Sequence, residues 1–87
     1  MGTVYQIQGK LKEAFEHHQQ ALNIDREIGN KEGEASDLCN IGIAYRYQGK
    51  LKEALNKFKE SLRIFKTLGA SSNIENLIEI MKDLEEE

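Results

Sequence analysis

Between residues 51 and 68 the apolar positions are Leu51, Ala54, Leu55, Phe58, Leu62, Phe65 and Leu68, with charged and polar residues between them. Steps of three and four put these side chains on one side of an α-helix, which completes a turn every 3.6 residues. An earlier stretch repeats the arrangement with Leu11, Ala14, Phe15, Ala21, Leu22 and Ile28. A later one carries Ile74, Leu77, Ile78, Met81 and Leu84, and opens on Ser72-Asn73-Ile74-Glu75, the spacing of a capping box. The pattern predicts amphipathic helices along most of the chain.

Glycine supplies the punctuation. Gly9, Gly29, Gly49 and Gly69 stand 20 residues apart. Glycine enters the left-handed conformation just past a helix C-terminus without steric cost, so each is predicted to end a helix. The spacing then implies helices of about 17 residues joined by tight turns, and such short connections make neighbouring helices antiparallel. Five helices are expected: a short one near residues 1–8, then 10–28, 31–48, 50–68 and 72–86. The absence of proline suits uninterrupted helices.

Sliding the chain on itself by 40 residues aligns Gln8-Gly9-Lys10-Leu11-Lys12-Glu13-Ala14 with Gln48-Gly49-Lys50-Leu51-Lys52-Glu53-Ala54, seven identities in a row. Gly2 falls on Gly42, Tyr5 on Tyr45, Leu22 on Leu62, Ile24 on Ile64 and Gly29 on Gly69. The fuller copy carries Leu38, Ile41, Gly42, Tyr45, Ala54 and Phe58, and the first carries Gly2, Tyr5 and Ala14, at the spacings of the tetratricopeptide repeat, which the chain resembles. That resemblance implies an all-α fold in which antiparallel helix pairs stack as a short right-handed α-solenoid. It also implies a mechanical role for each position: Gly42 for close helix approach, Tyr45 as a wedge between successive pairs, and Ala54 as a small residue at a crossing. The chain departs from the pattern in its 40-residue period and in having Arg26 and Lys66 where proline is usual. Both features match a longer variant of the repeat, typical of scaffold and adaptor arrays. His18 stands where Phe58 does, and is expected to be a half-buried packing residue.

The register divides the single domain, residues 1–87, into an incomplete repeat (1–29), a complete one (30–69) and a capping helix (70–87). In the last, Ile78 falls on Leu38 and Met81 on Ile41, but Lys82 and Glu85 replace Gly42 and Tyr45. A lysine where glycine permits close packing suits a terminal cap, which repeat arrays need for solubility. The expectation is the C-terminal part of a longer array.

Charge and composition narrow the chemistry. Twelve basic and 15 acidic residues are mixed along the 87, for a net charge of −3, so there is no basic stripe for nucleic acid. No apolar run reaches the roughly 20 residues of a membrane span, and the N-terminus lacks the order of a signal peptide. The single Cys39 suits a reducing compartment, which points to the cytoplasm. His17 and His18 are adjacent and point about 100° apart on a helix, so they cannot chelate as i, i+4 ligands would. Neither a metal site, nor a cofactor, nor a nucleophile with its base can be assembled, and no enzyme is expected.

The resemblance implies instead a protein or peptide ligand held on the concave surface lined by the first helix of each repeat. Asn40, two residues before Gly42, matches a position from which the family hydrogen-bonds the backbone of an extended peptide; an amide offers both donor and acceptor. Cys39, Ile43, Arg46 and Tyr47 lie on the same helix and are expected to face or border the same groove. Arg46 could meet an acidic group, and Tyr47 offers apolar area with a polar tip. The Lys/Asn set by which some family members clamp a C-terminal carboxylate is absent beyond Asn40. A competing reading is self-association: uncovered apolar faces, with Ile80 in place of Asn40 on the last helix, invite a homodimer formed by helix exchange.

Overall fold

The computed structural model describes residues 2–86, with side chains over residues 9–85. It contains four helices: α1 (Gly2–Ile28), α2 (Lys31–Tyr47), α3 (Leu51–Leu68) and α4 (Ser71–Glu86), and no strand among the described residues. Each packs on the next in chain order, α1 on α2, α2 on α3 and α3 on α4, which makes an all-α stack with dimensions 44 × 33 × 19 Å.

The three turns are built alike. Gly29, Gly49 and Gly69 have φ of 73°, 77° and 69°, and the residue after each donates its N–H back to a carbonyl five residues earlier: Asn30 to Asp25 at 2.8 Å, Lys50 to Tyr45 at 2.9 Å and Ala70 to Phe65 at 3.0 Å. This pairing satisfies carbonyls that the helix end would otherwise leave bare, and only glycine adopts that φ without strain. The next helix begins at once. At α2 the Asn30 side chain caps the new helix by accepting from Gly33 N–H at 3.0 Å.

Gly9 behaves otherwise. It was expected to close a turn after residues 1–8, yet α1 runs unbroken from Gly2 to Ile28, and Gly9 is not among the glycines with positive φ. The same heptapeptide is therefore continuous helix at 8–14 and a turn between two helices at 48–54. The local sequence is identical, so the choice is made elsewhere. Residues preceding Gly49 belong to a 17-residue helix packed along α3. The described residues before Gly9 are helical, and continuing α1 through Gly9 keeps their backbone hydrogen bonds. Five expected helices thus become four. A smaller difference lies at α4, which starts at Ser71 with Ala70 outside it, so Ser72 is the second helical residue and not a cap.

The core is centred on Phe58, whose ring is fully buried with Ala35, Ala54, Phe65, Leu77 and Leu84. Gly42 lies against that ring: a Cβ there would come within 2.8 Å of it. Tyr45 is the wedge between pairs, edge-on to Phe15 at 5.2 Å between ring centroids and in contact with both apolar clusters. Ser61 is buried opposite α2 and donates its hydroxyl hydrogen to the Ala35 carbonyl at 2.6 Å, so a polar side chain ties α3 to α2 inside an apolar seam. His18 is half-buried, whereas Ile28 and Leu68, the repeat-equivalent last residues of α1 and α3, end the apolar stripes exposed.

Candidate functional site

One row of α2 residues, Ser36, Cys39 or Asn40, Ile43, then Arg46 or Tyr47, recurs once per turn and so shares a face. That face looks across a groove to α4. At its upper end Ser36, Cys39 and Asn40 stand opposite Asn73, Asn76, Leu77 and Ile80, with Phe65 of α3 in the wall, around a space of 420 Å³. At its lower end Ile43, Arg46 and Tyr47 stand opposite the same Ile80, around 500 Å³. Ile80 borders both, so the two spaces lie on either side of it along α2. All five residues expected on this surface are here: Cys39 and Asn40 in one half, Ile43, Arg46 and Tyr47 in the other.

The lining sets what the groove can do. The upper half carries three amides and a hydroxyl, Asn40, Asn73, Asn76 and Ser36, which can pair with the N–H and C=O groups of a chain in extended form. The lower half joins two isoleucines to Arg46 and to Tyr47, a residue 72% exposed. Large exposed aromatics beside an arginine are the residue types that anchor protein interfaces. Cys39 is half-buried, and burial pushes its thiol above the ordinary value, so at neutral pH it is an unreactive apolar contact.

Asn73 and Asn76 are functional candidates that sequence reasoning did not single out. Their signal was present, because the 40-residue shift places Asn76 on Ser36 and Ile80 on Asn40. Seeing it required treating α4 as a groove wall and not only as a cap. Among the described residues no group of three or more His, Cys, Asp or Glu could hold a metal ion, and no helix is long and apolar enough to cross a membrane.

A family model described as tetratricopeptide repeat matches residues 1–67. No curated protein and no solved structure matches the chain.

Proposed function

Because the chain belongs to the tetratricopeptide repeat family, whose members generally mediate protein–protein interaction, we propose that it is a binding module that holds an extended peptide or a helix in the α2–α4 groove. The observation that carries this reading is the pair of spaces that meet at Ile80, with amides lining one and Ile43, Arg46 and Tyr47 lining the other. Asn40 is the central backbone reader, Asn73 and Asn76 face it, and Ile43 with Ile80 receives an apolar side chain. Residues 30–69 act as the complete repeat, 1–29 as the incomplete one and 70–87 as a helix that both caps the stack and supplies the second wall. No catalytic step is assigned to any of them. The lone, half-buried Cys39 fits a reducing compartment such as the cytoplasm.

The test is selection of peptides from a displayed random library, followed by fluorescence anisotropy of the selected peptides with wild-type protein, Asn40→Ala and Ile80→Glu. Both variants should weaken binding by tenfold or more, since each removes or charges a groove contact. Equal affinity for all three proteins would show that the peptides bind elsewhere.

A second reading is a homodimer formed through α1. It rests on Ile24 and Ile28, both more than half exposed on α1, and on exposed Leu68 at the equivalent end of α3. Exposed apolar residues of this kind are a common origin of self-association. Light scattering over a concentration series decides it: a constant monomer mass at high concentration eliminates the dimer.

A further inference from the structure

The stack contains two seams of the same kind, where the second helix of one repeat meets the first helix of the next. The α3–α4 seam is apolar: Phe65 and Leu77 are both buried and belong to the main core. Shifting by 40 residues places Asp25 on Phe65 and Asp37 on Leu77. In the α1–α2 seam, two carboxyls therefore occupy the places of an aromatic ring and a leucine.

Their surroundings leave little to neutralise two charges. Asp37 is only 8% exposed, and its Oδ2 is buried with no hydrogen-bond partner. Its carboxyl is within hydrogen-bond reach of Asp25 across the seam. Asp25 Oδ1 accepts from the Asn30 side-chain amide at 3.3 Å. Gly33 leaves the space that the pair uses, because a Cβ there would come within 2.6 Å of Asp25 Oδ2. The cations nearby are engaged: Arg26 pairs with Glu34 at 3.3 Å and reaches Glu60 of α3 at 4.0 Å, and Lys31 pairs with Glu34 at 3.2 Å. A buried carboxylate oxygen without a donor is costly, and a shared proton is the simplest donor that fits.

We propose that the α1–α2 seam is a proton-operated joint: one proton, carried by the Asp37 carboxyl and donated to Asp25, closes it, and loss of that proton weakens it while the α3–α4 seam is unaffected. Burial and the neighbouring Asp25 carboxyl raise Asp37 from 3.8 to about 6. A folded-state value above the unfolded one means that stability is complete below about 4 and is lost as pH rises through 6. Two pKa units correspond to roughly a hundredfold in the folded-to-unfolded ratio when the effect is complete. Glu34 acts in the opposite sense. Burial pushes its carboxyl up, but hydrogen bonds and charge from Lys31 and Arg26 outweigh this and hold it below 4.5, so its contribution fades as pH falls. The seam is therefore weakened from the Asp37 side as pH rises through 6 and from the Glu34 side as pH falls. The decisive readings are specific to the aspartates.

The experiment uses the full chain. Carbon-13 titration of the Asp37 carboxyl should show a midpoint near 6, falling by a unit or more in Asp25→Asn. The urea midpoint of the wild type should drop between pH 5 and 7, with a much smaller drop in Asp37→Asn. The double variant D25F/D37L, which copies the apolar seam, should also be insensitive over that range. An Asp37 midpoint near 4, or one unmoved by Asp25→Asn, would overturn the joint. So would parallel pH dependence of wild type and Asp37→Asn. If D25F/D37L does not fold, the carboxyl titration alone decides.

Discussion

Gly9 and Gly49 occupy the same place in identical heptapeptides, so the same substitution at each is an internal control. In Gly9→Ala the new methyl meets nothing within 4 Å, and the backbone is helical. Alanine in a helix interior is better than glycine by about 1 kcal/mol, largely because the unfolded chain has less freedom to lose. Gly49→Ala also meets open space, but its φ of 77° is a left-handed conformation that costs an L-residue roughly 1–2 kcal/mol. The two variants should thus differ by about 2–3 kcal/mol, with opposite signs against wild type. For a domain of this size 1 kcal/mol moves the melting temperature by about 4–8 °C. Thermal unfolding followed by far-UV circular dichroism should show Gly9→Ala melting higher and Gly49→Ala lower. Urea unfolding should move the midpoints in the same order with the slope unchanged. If Gly9→Ala lowers the melting temperature as Gly49→Ala does, Gly9 is a turn, and the continuous α1 is wrong.

Two further substitutions probe the seam between α2 and α3. Gly42→Ala forces a methyl to within 2.8 Å of the Phe58 ring, and overpacking of this kind should cost about 1–3 kcal/mol, measurable as a lower urea midpoint. Phe58→Leu in the same chain should recover part of that loss, a coupling that a double-mutant cycle reads directly. Ser61→Ala removes a buried hydroxyl that donates to the Ala35 carbonyl and should cost about 1 kcal/mol by the same assay, whereas an exposed hydroxyl such as Ser72→Ala should change little.

Most of the architecture was legible because the repeat states each helix twice. Turns at Gly29, Gly49 and Gly69 followed from glycine spacing, and Gly42, Tyr45 and Ala54 have the packing roles that the resemblance implied. Gly9 was misread because an identical heptapeptide is no guide when the deciding interactions lie outside it. The α2 wall of the groove was legible, since one position per turn defines a face, but the α4 wall was not. Its residues depart from the repeat's usual types, and their meaning appears only when α2 and α4 stand side by side. The Asp25–Asp37 pair was hidden for a related reason: each carboxylate alone reads as solvated surface, and only the 40-residue shift, which sets them on Phe65 and Leu77, places them in a seam, where Asp37 is buried and Asp25 half-buried.

Both α2 and α4 are packed on α3 and touch one another only marginally. The width of the groove is therefore a property of α3, which contributes only Phe65 to its lining. A change on the buried side of α3, at Phe58 or Leu62, would alter the angle between the two walls and so tune affinity without any contact to the ligand. Selection acting on recognition would then leave its mark in the core as well as on the surface.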